Sequence, residues 1–209
     1  MAELDLLLER AAPAAPVLAL AHGAGAPMDS EFMNQFSSAL LAAGVSVCRF
    51  EFPYMQERRR SGKKRPPDRQ PVLLDAWHTV LDKLANERVF IGGKSMGGRM
   101  AATLNNERQQ AGVICLGYPF HPPAKPDKLR LEPLQKPGSP VLIIQGSRDK
   151  LGCRDEVAGY SLAPNVSIHW LEDGDHDLKP RVKSGFTHQA HIQTAAHLSA
   201  NFMLTGEGL

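Results

Sequence analysis

The chain has 209 residues, of which 43% are hydrophobic and 22% are charged, and its formal net charge at pH 7 is +2. These values are those of an ordinary globular domain, long enough to bury roughly 70% of its unfolded surface. Such a small net charge calls for no nucleic-acid partner, and no apolar run reaches the length of a membrane span. We therefore expect one globular domain over residues 1–209.

Strand and helix patterns alternate along the chain. In chain order the pattern predicts a strand over 17–21, a helix over 31–43, a strand over 45–52, a helix over 72–85, a strand over 89–92, a helix over 96–104, strands over 113–116 and 141–145, a helix over 155–162, a strand over 166–170 and a helix over 185–204. Near-continuous apolar strands that alternate with helices indicate a mostly parallel sheet with helices on both faces. With right-handed crossovers this is a doubly wound α/β fold, which binds ligands beyond the carboxyl ends of its strands.

The most informative segment is Gly93-Lys94-Ser95-Met96-Gly97, which lies between a predicted strand and a predicted helix. A Gly-x-Ser-x-Gly sequence in that setting places the serine on a sharp strand-to-helix turn with its hydroxyl exposed. Side chains in place of the two glycines would clash where strand and helix pass close together. The Met96 amide, at the helix N-terminus, would face a developing negative oxygen. The same sequence also suits an ordinary turn built from small residues.

Two nucleotide-binding motifs can be set aside. Gly93-Lys94-Ser95 resembles the end of a phosphate-binding loop, but that motif needs a glycine five residues before Gly93, where Arg88 stands. Gly23-Ala24-Gly25 resembles the start of a dinucleotide-binding loop, but Met28 occupies the position of its third glycine. The sequence therefore predicts no nucleotide cofactor at either segment.

Candidate partners for Ser95 follow later strands. Asp149 comes after the predicted strand 141–145, and His176 comes after the next one, 166–170. A serine nucleophile needs a base to remove its proton and a third group to orient that base. In parallel-sheet hydrolases these groups occur in the order serine, acid, histidine, as they do here. The alternative for Asp149 is a turn or helix cap, and for His176 a polar turn among neighbouring aspartates.

With these motifs the chain resembles the α/β-hydrolase superfamily, and in particular its compact dienelactone-hydrolase-like branch without a large cap domain. The resemblance also rests on His22-Gly23-Ala24-Gly25, Gly146-Ser147-Arg148-Asp149 and Gly174-Asp175-His176. It implies Ser95 as nucleophile, His176 as general base and then acid, and Asp149 as the group that orients the imidazole. The implied oxyanion donors are the amide of Met96 and that of Ala24, with Gly25 next. Dienelactone hydrolases themselves use a cysteine nucleophile, so dienelactone substrates are not implied.

Four further residues near strand ends are candidates for the substrate pocket: His22, Tyr54, Tyr118 and His121. We expect His22 chiefly to order the oxyanion loop through hydrogen bonds. His188 and His191 have the i, i+3 spacing of a helical metal pair, but no Cys or carboxylate ligand lies near them in sequence. An exposed helix face is the favoured interpretation, and no metal site is predicted.

Residues 57–69 form the clearest shift in composition, with seven Lys or Arg residues against Glu57 and Asp68. We interpret this segment as a solvated basic loop, with contact to an anionic ligand or nucleic acid as the alternative. Of three cysteines, Cys48 and Cys115 lie in predicted core strands, which suits a reducing cytoplasm better than a disulfide framework. The first residues lack the basic and apolar parts of a signal peptide, so a cytoplasmic location is expected.

The sequence thus predicts a serine hydrolase that cleaves an acyl ester or related carbonyl in a small-molecule substrate through an acyl-enzyme. A thioesterase or peptidase would use the same residues. The alternative from another class is a catalytically idle α/β-hydrolase domain that serves as a binding or scaffold module. The mechanism needs no cofactor, and the sequence leaves the oligomeric state open.

Overall fold

The computed structural model describes residues 4–206, which build a seven-stranded sheet in the order β1-β3-β2-β4-β5-β6-β7. Six strands are parallel, and β1 pairs with β3 in the antiparallel sense. The strands are β1 (Leu6–Glu9), β2 (Val17–Ala21), β3 (Ser46–Phe50), β4 (Val89–Lys94), β5 (Val113–Leu116), β6 (Val141–Gly146) and β7 (Val166–Leu171). The predicted doubly wound α/β fold is confirmed.

Seven α-helices connect and cover the strands in the described part of the chain. They are α1 (Glu31–Ala42), α2 (Pro53–Ser61), α3 (Gln70–Lys83), α4 (Met96–Leu104), α5 (Glu132–Gln135), α6 (Arg154–Val157) and α7 (His188–Thr205). Local chemistry defines several helix ends. Thr187 caps α7 by accepting a hydrogen bond from the Ala190 amide at 3.1 Å, and Gly206 ends that helix in the left-handed conformation.

Two apolar layers enclose the sheet. Alternating residues of one strand point to opposite faces, so Leu18 packs with α1 and α7 on one side while Ala19 packs with α3 and α4 on the other. Trp77 of α3 and Phe36 of α1 are among the largest fully buried side chains, one in each layer. Helices therefore cover both faces, as the near-continuous apolar strands predicted.

The strand order reverses between β2 and β4, which are neighbours in the sheet. The chain goes from β2 to β3 on one side, and every strand from β4 onward lies on the other. A crevice opens at such a reversal, outside the carboxyl ends of the strands. Gly23-Ala24-Gly25 follows β2 and Ser95 follows β4, so the fold places these two segments beside each other.

Three differences from the sequence-based elements have local causes. Antiparallel β1 was not predicted, because its Leu-Leu-Leu-Glu run is only four residues long. It forms the edge of the sheet and pairs with β3 alone. The helix expected over 155–162 is the single turn Arg154–Val157. Helix α2 covers 53–61, so the predicted basic loop 57–69 is helical over its first five residues. Pro53 suits the first turn of a helix, and Gly62 ends α2 with a φ of 68°.

Within residues 4–206, no helix combines the length and apolar character that a membrane crossing requires. Cys48 and Cys115 are buried, and both are free thiols, as is Cys153.

Candidate active site

Ser95 occupies a strained turn between β4 and α4. Its backbone angles, a φ of 52° and a ψ of −114°, lie outside the regions that residues with a Cβ normally adopt. Strain of this kind is characteristic of the serine turn in α/β hydrolases, where it exposes the hydroxyl above the sheet. The Ser95 amide donates to the carbonyl oxygen of Leu116 at 2.9 Å, which ties the turn to the end of β5.

The glycines that flank Ser95 are required by close backbone contacts. A Cβ on Gly93 would lie 2.5 Å from the carbonyl oxygen of Ala21 and 2.7 Å from the carbonyl carbon of Gly97. A Cβ on Gly97 would lie 2.6 Å from the same Ala21 oxygen and 2.7 Å from that of His22. The clash expected between strand and helix is confirmed, and the end of β2 adds a third crowded element.

His176 bridges Ser95 and Asp149. Its Nε2 lies 2.7 Å from Ser95 Oγ, and its Nδ1 lies 2.8 Å from Asp149 Oδ2. Since a carboxylate can only accept, Nδ1 carries the proton, and Nε2 is left free to accept from the serine hydroxyl. The Asp149 side chain is fully buried, while that of His176 is 27% exposed. The structure therefore brings the three predicted residues together in one hydrogen-bonded chain.

Buried polar groups hold the Asp149 carboxylate in place. Oδ1 accepts from the Leu151 amide at 2.8 Å, and Oδ2 accepts from Gln145 Nε2 at 2.8 Å. Gln145 is itself fixed, because its Oε1 accepts from the Tyr118 amide at 2.7 Å. Gln145 was not recognised in the sequence, where it reads simply as the polar last residue of an apolar run.

The aspartates around His176 have separate structural roles. Asp175 Oδ1 accepts from the amides of Asp177 and Lys179 at 2.9 and 3.0 Å, which closes the turn. Asp173 pairs with Arg181, whose hydrogen bond lowers the pKa of this carboxyl to about 2. The polar turn that the sequence offered as an alternative to a catalytic histidine is therefore present, and it carries His176.

The loop after β2 is held by His22 and Tyr54. Nδ1 of His22 donates to the Gly23 carbonyl at 2.6 Å, and its Nε2 accepts from the Phe52 amide at 3.1 Å. Burial lowers the pKa of His22, which agrees with a neutral ring that both donates and accepts. The Tyr54 hydroxyl donates to the Ala24 carbonyl at 3.0 Å. His22 thus orders this loop, as predicted.

A cavity of about 640 Å³ lies beside Ser95 and His176. Gly23, Ala24 and Gly25 form one wall, while Phe32 of α1 and His188 of α7 form another with their rings stacked at a centroid distance of 6.2 Å. Phe32 and His188 were missed as cavity residues, because only the packing of α1 against α7 brings them to the site.

The prediction that His22, Tyr54, Tyr118 and His121 line the substrate pocket is wrong for this cavity, since none of them belongs to its wall. All four are buried, with at most 4% of their surface exposed. Their polar atoms bond to the protein instead: the Tyr118 hydroxyl donates to Arg130 O at 2.8 Å, and His121 Nε2 lies 3.1 Å from Glu156. Position after a strand end did not distinguish a cavity wall from the layer beneath it.

His188 and His191 do not share an exposed helix face. His191 is buried and its Nδ1 donates to the Leu178 carbonyl at 2.8 Å, whereas His188 faces the cavity. Among residues 4–206, no group of three or more His, Cys, Asp or Glu side chains is arranged to hold a metal ion.

Part of the charge of the basic segment 57–69 is neutralised. Arg59 bonds to Glu51 at 2.6 Å and to Asp29 at 2.8 Å, and Arg60 pairs with Glu57 at 2.5 Å. Residues 62–69 form neither helix nor strand. Contact of this segment with an anionic partner stays a hypothesis.

The fold and the serine turn define the class of α/β hydrolases. A family model described as an alpha/beta hydrolase domain matches residues 14–204, and the chain belongs to this family.

Three solved structures resemble this chain in fold at 17–20% sequence identity. A putative α/β hydrolase from Agrobacterium tumefaciens is 18% identical, with a TM-score of 0.73 and coverage of 98% of this chain and 93% of that one. An α/β serine hydrolase without lid from Xanthomonas campestris is 17% identical, with a TM-score of 0.70 and coverage of 95% and 88%. A dienelactone hydrolase from Anabaena variabilis is 20% identical, with a TM-score of 0.66 and coverage of 92% and 89%.

Proposed function

We propose that the protein is a serine hydrolase that cleaves an acyl ester, or a related activated carbonyl, in a small-molecule substrate. The observation that carries this proposal is the position of His176, whose two ring nitrogens lie 2.7 Å from Ser95 Oγ and 2.8 Å from Asp149 Oδ2. In this position His176 can remove the proton of Ser95, while Asp149 keeps the imidazole in the correct tautomer.

The proposed reaction has two halves. In the first, His176 Nε2 takes the proton of Ser95 Oγ, which attacks the carbonyl carbon and forms a tetrahedral intermediate. His176 then gives that proton to the leaving group, whose bond to the carbonyl breaks, and an acyl-enzyme remains. In the second half, water attacks the acyl-enzyme with His176 as base, and Ser95 leaves with its proton restored.

The proposed oxyanion donors are the amides of Met96 and Ala24. Met96 is the first residue of α4, so its amide has no carbonyl partner within the helix. Ala24 lies in the cavity wall, and its carbonyl is held by Tyr54 at 3.0 Å, which orients the peptide units of the loop. Removing one donor of this kind costs about 10²–10³-fold in kcat in well-studied enzymes.

The cavity supports a small substrate. Its walls combine the aromatic Phe32 with glycine and alanine backbone, and its volume of about 640 Å³ is within the range of small-molecule sites. We expect short and medium acyl esters to react faster than long-chain ones.

A serine-directed fluorophosphonate tests the proposal. The wild type should become labelled, Ser95→Ala should not, and His176→Ala should react about 10²–10⁴-fold more slowly because the base is lost. Ser37→Ala is the matched control, because Ser37 is buried in α1 outside the cavity and its hydroxyl has no partner. An unlabelled wild type would favour the idle binding module, and labelling without ester turnover would direct the search to thioesters and peptides.

A further inference from the structure

Lys94 is a buried cation that the proposed reaction does not use. It stands directly before Ser95, in the Gly93-Lys94-Ser95 sequence whose phosphate-binding interpretation fails, and it is only 8% exposed. Lysine is rarely buried unless its ammonium is paired. A buried lysine next to the nucleophile therefore calls for a specific partner.

The ammonium of Lys94 is bound to the segment that carries His176. Nζ donates to the main-chain carbonyl of His176 at 2.8 Å and pairs with Asp177 Oδ1 at 3.1 Å. Lys94 is the last residue of β4, directly before Ser95. Its side chain therefore extends from the strand that precedes Ser95 to the loop that carries His176. These residues are 82 positions apart in sequence, and the contact is made at the active site itself.

The surroundings leave room for this contact. Gly117, after β5, has a φ of +66°, and a Cβ there would lie 2.7 Å from the His176 carbonyl oxygen and 3.5 Å from Lys94 Nζ. The ring of Phe32 covers the ammonium from the cavity side, with Nζ 5.9 Å from the ring centre. The ammonium thus occupies a site bounded by glycine backbone, an aromatic ring and the His176 loop.

Neighbouring carboxylates oppose the effect of burial on the Lys94 ammonium. Burial lowers the pKa of Lys94, and the carboxylates of Asp177, Asp149 and Asp175 oppose that shift. Burial raises the pKa of Asp177, but Lys94, His176 and His188 together outweigh this effect, and the pKa of this carboxyl falls. A charged donor makes a shorter and stronger hydrogen bond to a carbonyl than a neutral one does.

We infer that Lys94 is a positioning residue. By binding the main-chain carbonyl of His176, it keeps the imidazole where His176 Nε2 contacts Ser95 Oγ. The inference rests on the proposed function. Without the ammonium, the His176 carbonyl and the Asp177 carboxylate lose their tie to β4, and the imidazole can move away from the serine. A displacement of about 1 Å at a reacting group costs on the order of 10²-fold in rate.

Two variants separate positioning from a merely structural role. Lys94→Met keeps the length of the side chain and removes the donor, and we expect kcat for a p-nitrophenyl ester to fall about 10- to 100-fold with KM within about threefold. Lys94→Ala opens a space that reaches the cavity, so added n-propylammonium should restore part of kcat. Tetramethylammonium at the same concentration should not, because it carries the charge without an N–H donor. The wild type in each salt is the reference for direct effects of the amine.

Lys83→Met is the matched control. Lys83 is the last residue of α3 and does not line the cavity beside Ser95, and its Nζ also donates to a main-chain carbonyl, that of Leu4, at 3.1 Å. Its loss should leave kcat unchanged.

Asp177→Asn supplies a variant whose folding is secure, because the Asp177 side chain is 71% exposed. It removes the carboxylate that opposes the lowered pKa of Lys94, and leaves Asp149 and Asp175 as the acidic groups acting on the ammonium. The alkaline decline of kcat should therefore begin at lower pH than in the wild type.

The outcomes are distinguishable. The positioning role is wrong if folded Lys94→Met retains kcat within twofold of an active wild type. It is also wrong if folded Lys94→Ala shows no increase in kcat with n-propylammonium. Neither result would contradict the proposed hydrolase activity. An unchanged alkaline decline in Asp177→Asn contradicts it as well. A wild type that neither reacts with the fluorophosphonate nor turns over an ester overturns both proposals.

Discussion

Gln145 donates a hydrogen bond to the same Asp149 oxygen that faces His176: Gln145 Nε2 lies 2.8 Å from Asp149 Oδ2, and His176 Nδ1 lies 2.8 Å from it as well. Both contacts are fully formed at the end of β6, where the Asp149 side chain is completely buried. The Asp149 carboxylate therefore has little freedom to rotate, and its hydrogen bond to Nδ1 fixes the orientation of the His176 ring.

Replacement of Gln145 by methionine tests this relationship. The variant frees Asp149 Oδ2 from one donor and leaves the buried Tyr118 amide without its acceptor at 2.7 Å. We expect the free energy of unfolding to fall by about 1–3 kcal/mol, because a buried amide is left unsatisfied. Ester turnover should fall about tenfold or more, because the imidazole is held less precisely. Urea denaturation and steady-state kinetics measure the two effects.

Gln109→Met is the control for that variant, since Gln109 Nε2 donates to the Gly138 carbonyl at an exposed position. Equal kcat in the two glutamine variants would contradict the role assigned to Gln145.

Tyr54→Phe tests the support of the proposed oxyanion loop. The change removes only the hydroxyl that donates to Ala24 O at 3.0 Å. We expect a loss of about 1 kcal/mol in stability, the usual contribution of one hydrogen bond. We also expect a several-fold lower kcat with KM little changed, because the bond orients a loop that acts on the transition state.

Tyr160→Phe provides the comparison for Tyr54→Phe, because its hydroxyl bonds to Glu156 outside the cavity wall. If both tyrosine variants have the kcat of the wild type, Tyr54 stabilises the fold without supporting the loop.

Gly97→Ala tests the crowding at the serine turn. The added methyl group would lie 2.6 Å from the carbonyl oxygen of Ala21, which is backbone and cannot rotate away. Overpacking of this kind costs about 1–3 kcal/mol, and the turn that carries Ser95 has to shift. Gly159→Ala should be nearly neutral, because its Cβ would meet only Glu156 O at 3.5 Å. Chemical denaturation of both variants tests the difference, and similar stabilities would show that the turn tolerates a side chain.

The stability of the protein should depend on the ionisation of His22. Burial lowers the pKa of His22 below its ordinary 6.5. As pH falls below about 6.5, the unfolded chain takes up a proton on this residue while the folded chain does not, so folding loses free energy. Protonation of the folded state would also remove the acceptor that the Phe52 amide uses at 3.1 Å.

The measurement for His22 compares the wild type with His22→Gln at pH 7.5 and 5.5 by urea denaturation. Other groups titrate equally in both proteins, so the stability advantage of the wild type should shrink at the lower pH. An advantage that is constant or grows toward pH 5.5 contradicts the buried, neutral state of His22.

The fold and the three central residues could be predicted from the sequence because their signals are local. Ser95, Asp149 and His176 each come within five residues of the end of an apolar strand, and parallel strands end at one edge of the sheet. Helix α4 and strand β5 match their predicted bounds, since small residues and a short apolar run define them without help from distant contacts.

The cavity walls could not be predicted in the same way, because they depend on contacts between distant parts of the chain. Phe32 and His188 meet only after α1 packs against α7. Lys94 reads as a polar residue in a turn, and its burial depends on a carbonyl 82 positions away. Conversely, His121 follows a strand but turns inward to Glu156, and no local pattern distinguishes that packing from exposure to a substrate.

The central claim is that Ser95 Oγ becomes acylated. Rapid acid quenching of the protein with p-nitrophenyl acetate, followed by mass spectrometry of its peptides, tests it most directly. The account predicts one added acetyl group on the peptide that contains Ser95, formed during the burst of p-nitrophenol, absent from Ser95→Ala and lost as the acyl-enzyme hydrolyses. An acetyl group found only on lysines, or equal p-nitrophenol release by Ser95→Ala, would contradict it.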